Sequence, residues 1–540
     1  MAKRSLFLNG RVLTLDAGNS VVEAVAVSEG RIEAVGSTAD LREHYGGGAN
    51  VDEIDLGGGT LIPGFVDAHS HVGMVGQLAL QQVDLNSPPI GKAERMDDVV
   101  RLLADRARDA DEGEWILGRG YDDTLLAEGR HPNRHDLDRA SETRPIVVFH
   151  ISGHFASANS LALERAGVTS ESKDPVGGVI RREADGRPDG VLEESAMLPV
   201  MGALPPGSQE DRVDAFVHAT RLYASRGITT AQHGMASSLD IADFDRGFEA
   251  GRIPISVVVW PNIPAMRELD SGKLAPRTDG DQLVIGAVKL FADGSIQGFT
   301  GHLCCPYHTP FKGQDDYRGY AAMPREQLEK FVTEIYASGR QVAVHVNGDA
   351  AIDDFLHAVD RAQRAYPRDD ARPIAVHAQM TREDQLDEMQ RLGVVPSFFV
   401  LHTYYWGDRH RDLFIGPERA PRISPTRSAA KRGLRFTIHT DAPVVPMTPM
   451  LLMWAAANRR TTSGKTLGPE QCLTPLEALR ATTIDAAWQL HLEHDRGSIE
   501  PGKRADFALL GADPLGDPAA LAGIEVESTF VAGRRVDPRL

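Results

Sequence analysis

The chain has 540 residues, enough for a large core and two to four domains, and its 42% hydrophobic and 25% charged residues are ordinary for a globular protein in water. Its 58 Lys and Arg against 76 Asp and Glu leave a formal charge of −18, which argues against nucleic acid or an anionic membrane surface as a partner. Three cysteines, two of them adjacent at Cys304 and Cys305, exclude a disulfide framework and fit a reducing cytosol, so a cytoplasmic location is expected.

In chain order, residues 1–8 carry two basic side chains, and Asn9, Gly10 and Arg11 interrupt the apolar run behind them. Neither a signal peptide nor a transmembrane span is expected. Short strands follow over 5–8, 11–15, 22–27 and 31–35, with Asn9-Gly10 as a hairpin signal between the first two. The same texture returns at 505–510, 526–531 and 532–536. Neither end can build a robust sheet alone, so 1–60 and 495–540 are expected to pair as one small composite β-sandwich domain.

Across 61–494, strand-like and helix-like segments alternate. Strands are predicted over 61–68, 227–233, 255–260, 283–291, 341–345, 373–377, 393–398 and 434–440, with helices such as 211–226, 325–338 and 382–392 between them. Eight such units predict an α/β fold, a (β/α)8 TIM barrel. The spacing breaks once, between 80 and 206, where a helix (97–109), a strand (145–151) and a hairpin (178–191) are expected. This reads as an insertion after the first barrel strand that covers the active-site mouth.

The chemistry starts at His69-Ser70-His71, where the apolar run Leu61-Ile-Pro-Gly-Phe-Val66 stops. Histidines two apart at a strand end face the same way and can share a metal ion, although one surface and one packed histidine would look the same in sequence. The pattern then recurs: Gln341-Val-Ala-Val344 ends in His345, Pro373-Ile-Ala-Val376 in His377, and Phe436-Thr-Ile-His-Thr440 in Asp441. Apolar strands that each deliver a ligand-type residue at the C-terminal end describe a metal centre on a barrel's top face. On this reading His69, His71 and Asp441 hold one metal, and His345 and His377 a second. Lys289, in Val288-Lys-Leu-Phe-Ala-Asp-Gly294, offers a bridge: a buried neutral amine reacts with CO2 to give an anionic carbamate. The residues equally allow a lysine that snorkels to the rim or pairs with Asp293.

These residues and their surroundings resemble the amidohydrolase superfamily, and within it the YtcJ-like branch (amidohydrolase family 3) that includes N-substituted formamide deformylases. The resemblance spans nearly the whole chain. It is carried by Gly64-Phe-Val-Asp-Ala-His-Ser-His71, Gly118-Arg-Gly-Tyr-Asp-Asp123, Gly153-His154, Gly177-Gly-Val-Ile-Arg181 with Asp185-Gly186, and Gly190-Val-Leu-Glu193. It continues through Lys289-Leu-Phe-Ala-Asp-Gly-Ser295, His345-Val-Asn-Gly-Asp349, Thr440-Asp-Ala-Pro443 and Gly497-Ser-Ile-Glu-Pro-Gly-Lys-Arg-Ala-Asp506. It implies a metal-dependent hydrolase with His69, His71, His345, His377 and Asp441 as ligands and a carboxylated Lys289. One or two divalent ions are implied; zinc is expected, and manganese, cobalt or iron suit the same donors. Two departures stand out. His439 replaces the small residue of many relatives and either steadies a neighbouring ligand or simply packs, and Tyr121 stands where relatives often have Trp.

The mechanism so implied is attack by a metal-bound hydroxide on an amide-type C–N bond, other than a protein's peptide backbone, with Asp441 as general base and then acid. The expected substrate is a small N-substituted amide or formamide with an apolar or aromatic group. Tyr404, Tyr405 and Trp406, following the seventh strand, are expected to hold that group, or to pack the loop against the insertion. Tyr121 and His154 are further pocket candidates, His154 as a donor to the developing oxyanion or as a structural histidine. N-acyl amino acids and cyclic amides are rival substrates. A deaminase is disfavoured because Gly348 stands where such enzymes place a Glu three residues after the strand-five histidine. A non-enzymatic scaffold relative would lack ligands, yet all six positions are filled. No nucleic-acid or membrane partner is expected, and a homo-oligomer is left open.

Overall fold

The computed structural model describes residues 4–46, 50–111, 113–277 and 282–537; residues 1–3 and 538–540, at the ends of the predicted composite domain, lie outside it. The two ends of the chain meet in one sheet. Phe507–Leu510 runs antiparallel to Thr60–Pro63, which in turn runs parallel to Arg11–Leu13. Val526–Val531 and Arg534–Arg535 extend one side, and Val21–Val22 the other. A second sheet holds Arg31–Gly36, Ala24–Ser28, Arg4–Leu8 and Val51–Asp55. Phe7 locks the two ends together: its ring meets Phe507 edge-on at 5.3 Å and Phe530 at 5.0 Å.

The expected Asn9-Gly10 hairpin does not form. Arg4–Leu8 and Arg11–Leu13 belong to different sheets, so the dipeptide is a corner between layers. A type I′ turn needs two left-handed residues, and only Asn9 has a positive φ, of 58°. Leu56 packs against Gly10 where a hairpin partner would otherwise lie.

Two parallel sheets form the body. One has the order Phe65–Val66, Ile228–Ala236, Ser256–Pro261, Leu283–Ile285; the other runs Val288–Phe291, Val342–Val346, Ile374–His377, Val395–Phe398, Thr437–Ile438. Two predicted strands are split, each at a glycine. The run 61–68 breaks at Gly64, whose N–H still donates to Asp506 of the composite sheet (2.8 Å) while Phe65 N–H donates to Gly227 (2.9 Å). A Cβ at Gly64 would lie 2.2 Å from Thr229 Oγ1, so only glycine lets the chain cross between layers there. The run 283–291 breaks at Gly286-Ala287, where Gly286 N–H bonds Val259 but Val288 N–H bonds Gln341. The segments that follow the last and first parallel strands meet through Asp441 N–H to His69 C=O (3.2 Å) and His71 N–H to Ala442 C=O (2.7 Å).

Helices cross between the strands. The one predicted over 211–226 runs Gln209–Ala224, started by Ser208 and Asp211, whose side chains cap each other's backbone N–H groups. Segment 80–206 carries a sheet of its own, in the order Val83–Asp84, Ile116–Tyr121, Ile146–His150, Phe155–Ala158, Pro188–Glu194, Gly178–Arg182, flanked by the helix Met96–Asp109. One face of it buries Leu85, Val99, Leu103, Ile116 and Val148, the other Val147, Phe149, Leu163, Ile180 and Leu192.

Phe7→Ala is expected to lower the unfolding free energy by about 3 kcal/mol, read from denaturant midpoints. Because Phe7 and Phe507 share one contact across 500 residues of chain, a double-mutant cycle with Phe507→Ala should be clearly non-additive. Additive losses would place the two rings in separate cores.

Candidate metal centre

Three side chains converge where the first and last parallel strands end. His69 Nε2 and His71 Nε2 each lie 3.4 Å from the same oxygen, Asp441 Oδ1. One donor atom from each of the three falls within 4.8 Å of the others. The opposite ring nitrogens settle the tautomers. Gln232 Oε1 already accepts from Ser70 N–H (3.1 Å), so it accepts from His69 Nδ1–H as well, at 2.8 Å. Gly234 C=O accepts from His71 Nδ1–H at 3.2 Å. Both Nε2 lone pairs therefore face the aspartate. Burial keeps both imidazoles below their usual pKa. Asp441 Oδ1 is fully buried and accepts no hydrogen bond among the described residues. Two neutral imidazoles and a carboxylate with a vacant lone pair are the donor set of a divalent cation. Asp441 takes a left-handed φ of 56°, and His377 and Ala378 take 70° and 46°, backbone strain that sits at the site.

His377 Nε2 lies 3.9 Å from Asp441 Oδ2, and its orientation is set by a proton chain. Gln489 Oε1 only accepts, so the single Thr437 hydroxyl proton goes to it at 2.6 Å, and Ser397 Oγ donates to Thr437 at 2.8 Å. Ser397 then accepts from His439 Nδ1–H at 2.9 Å, which leaves His439 Nε2 to accept from His377 Nδ1–H at 3.0 Å. Burial holds the His439 imidazole down at about 3, so this neutral tautomer persists. His439 steadies a ligand-type neighbour, one of the two readings its sequence context allowed.

His345 is held from the other side. Asp293 Oδ1 takes its Nδ1–H at 3.2 Å and also accepts from Asn347 N–H, while Oδ2 accepts from His302 and Gly348 N–H. The His345 and His377 rings meet edge-on at 4.6 Å, and Asn347 Nδ2 lies 3.2 Å from His345 Nε2. His345 therefore adjoins the three-residue cluster, with its lone pair engaged by Asn347. A Cβ at Gly348 would sit 1.9 Å from His302 C=O, so no side chain of any kind fits at the position of a deaminase's Glu.

Lys289 is 1% exposed, which rules out snorkelling. Nor does it pair with Asp293, whose oxygens are taken by His345 and three backbone N–H groups. Among the described residues no carboxylate reaches its Nζ, which lies 3.1 Å from His69 Nε2, with the Trp260 and Phe291 rings at 5.8 and 5.4 Å. Burial pushes the amine down to about 7, so a large share of it is neutral and nucleophilic near neutral pH.

The insertion closes the other side. His154 is buried with its ring 5.0 Å from that of His345, and its Nδ1 lies 2.9 Å from Glu194 Oε2. Burial opposes a charge there, but Glu194 raises the imidazole pKa above its usual value. Tyr121 is not a pocket wall. Its ring is fully buried in the insertion's own core, and its hydroxyl meets His131 (3.1 Å) and Ser157 (3.3 Å). Trp406 is buried too and donates to Asp122 Oδ2 at 3.0 Å, docking its loop on the insertion. Tyr404 packs edge-on against Trp454 at 5.6 Å, and Tyr405 lines a recess with Pro88, Asp122, Ile151 and Trp406. Gln232, Asn347, Glu194 and Ser397 were not singled out in the sequence. Glu194 had a signal, following Gly190-Val-Leu-Glu193, and Asn347 lies within His345-Val-Asn-Gly-Asp349.

Residues 52–537 match the model of the amidohydrolase family, and residues 24–47 a composite domain of the bacterial imidazolonepropionase-like type. The putative amidohydrolase YtcJ of Bacillus subtilis is 28% identical over 99% of both chains. The N-substituted formamide deformylase of Arthrobacter pascens is 28% identical over 98% of this chain and 97% of its own. An uncharacterized metal-dependent hydrolase from Pyrococcus horikoshii superposes over 96% of this chain and 99% of its own, with a TM-score of 0.76 and 25% identity.

His439→Phe keeps ring volume but removes the acceptor of His377 Nδ1–H. It is expected to weaken metal retention by about 10–100-fold, measured by competition with a metallochromic chelator, with circular dichroism unchanged.

Proposed function

We propose a specific reaction for this chain, which belongs to the amidohydrolase family and is a hydrolase acting on carbon–nitrogen bonds: hydrolysis of a small N-substituted amide or formamide. The observation that carries it is the convergence of the His69 and His71 Nε2 lone pairs on an Asp441 oxygen without a hydrogen-bond donor. The A. pascens relative's activity on N-substituted formamides supports the substrate class.

His69, His71 and Asp441 would hold the first divalent ion, taken as zinc, and His345 and His377 a second, with carboxylated Lys289 between them. When bound, such ions acidify water and polarise the substrate carbonyl. The protein's own groups do the rest. Asp441 takes the proton of the attacking water and returns it to the leaving nitrogen. Glu194 favours the protonated form of His154, which would donate to the carbonyl oxygen as it becomes anionic. Asp293 and His439 keep His345 and His377 turned toward the site. Tyr405 and the recess beside it suit an apolar or aromatic substituent.

The architecture is read in the same way. The two parallel sheets are the two arcs of one (β/α)8 barrel, interrupted at Gly286-Ala287, and the contacts of Asp441 and His71 across its ends support closure. The barrel occupies 61–494, with 80–206 as its lid and the two chain ends as the composite domain. Among the described residues no helix is long and apolar enough to cross a membrane, and a cytoplasmic enzyme acting on a small molecule fits the acidic composition.

Asp441→Asn is expected to lower kcat on an N-substituted formamide by about 10²–10⁴-fold with the fold retained; turnover near wild type would remove Asp441 from the chemistry. Elemental mass spectrometry of protein purified without chelator should give near two metals per chain, falling sharply in Lys289→Ala. Near one in both proteins would strip Lys289 of its bridging role.

A further inference from the structure

One buried cation in the insertion has no partner. Arg119 is 5% exposed, and among the described residues no hydrogen bond or ion pair reaches its guanidinium. Guanidinium stays charged at any physiological pH, and burying it unpaired is unfavourable. The other buried arginines obey that rule. Arg372 pairs with Asp370 and Glu493, Arg496 with Asp495, and Arg504 with Asp506. Arg459 donates to the backbone carbonyls of Leu467, Ser424, Pro421 and Ile423. Arg119 departs from the pattern, and it does so beside the metal centre.

Its position is built. Arg119 lies on the strand Ile116–Tyr121 between Gly118 and Gly120, where the ladder to Ile146–His150 shifts register. Gly120 takes a φ of +100°. The guanidinium extends to Gly153, next to His154: a Cβ there would lie 3.5 Å from Arg119 Nη2 and meet nothing else within 4 Å. The guanidinium thus has open space on the side of Gly153, one residue from His154, whose ring faces that of His345. Asp441 supplies the opposite charge that acts on Arg119, from beyond ion-pair distance.

We propose that Arg119 binds a carboxylate on the substrate, which narrows the amide to one bearing a single acid group near the scissile bond, an N-acyl or N-formyl amino acid. The planar fork of the guanidinium matches a carboxylate in two parallel hydrogen bonds. A phosphate fits less well. It would bring a second negative charge toward Asp441, and Arg181, Lys312 and Arg409 are already drawn to Glu193 and Asp122. The inference rests on the hydrolysis proposed above and adds the feature of the substrate that the insertion selects.

The test uses matched pairs: N-formylphenylalanine against N-formylphenethylamine, and the corresponding pair built from leucine, which differ only in the carboxylate. Wild type, Arg119→Gln and Arg119→Lys are compared by kcat and KM, and by calorimetric binding of each compound, with metal content and melting curves as controls. In wild type the acid should exceed its neutral partner in kcat/KM by about 100-fold. In Arg119→Gln that ratio should collapse toward one through KM, and Arg119→Lys, with the charge but not the fork, should fall between. A wild-type ratio near one, or a ratio unchanged in Arg119→Gln, overturns the proposal. If the neutral amides are turned over without preference for the acids, the hydrolytic reading stands and this inference falls. If the acids bind in an Arg119-dependent way but no amide is cleaved, the inference stands and the hydrolytic reading falls.

Discussion

The site depends on one electrostatic arrangement, a carboxylate carried into the interior with no hydrogen-bond donor to one oxygen among the described residues. Asp441 Oδ1 is buried at 3.4 Å from two imidazole nitrogens whose lone pairs point at it. Such an arrangement repels itself unless a cation lies between, because a carboxylate oxygen and a neutral Nε2 are both acceptors. The surroundings hold this geometry in place. Gln232 and Gly234 take the far protons of His69 and His71, and the chain from Gln489 through Thr437, Ser397 and His439 fixes His377. The left-handed φ angles at His377 and Asp441 belong to the same cost.

That constraint explains why Lys289 is where it is. A lysine in a wholly apolar pocket would be a liability, and one beside a carboxylate would be a charged ammonium. Lys289 sits between these limits, packed near Trp260 and Phe291 with its amine against His69 Nε2, and burial brings its pKa to about 7. An amine so poised offers both a neutral form that reacts with CO2 and a location between the two histidine pairs. Carboxylation would replace a weak donor by an anion where the centre lacks negative charge.

Much of this was legible in sequence, because ligands at strand ends are a one-dimensional signal. His69, His71, His345, His377 and Asp441 each follow an apolar run, and the alternation of a strand puts each on the inner face. What the pattern could not carry was partnership across the fold. Gln232, Asn347 and Ser397 lie inside strands or just past them and look like ordinary polar residues until the register with a neighbour is known. Asp293 was legible as a charge near Lys289, but its backbone contacts to His302, Asn347 and Gly348 come from a loop closure that spacing does not encode. The split strands at Gly64 and Gly286 had a local signal, a glycine in an apolar run, that matters only because Thr229 in one case and Trp260 in the other come within van der Waals distance. Tyr121 was expected as a pocket wall, and Trp406 either to hold the substrate's group or to pack its loop, a choice the sequence could not make. Aromatic residues near a site serve packing as readily as binding, and here their polar atoms hold the insertion and its neighbouring loop together.

The same accounting separates the labour of the two layers. The parallel strands supply neutral imidazoles and carboxylates, which suit a cation and the movement of one proton but discriminate poorly between amides. The insertion supplies the further donors, His154 paired with Glu194 and Arg119, which has no partner among the described residues. A fixed positive charge of that kind has no use in holding metal, since it would repel it, and no structural use, since it completes no network. Its worth lies in what it can bind. Arg119 lies in a sheet packed on both faces by apolar clusters, whose burial helps offset the penalty of one unpaired guanidinium. Selection of the substrate can thus change through the insertion while the reacting groups on the strands stay as they are.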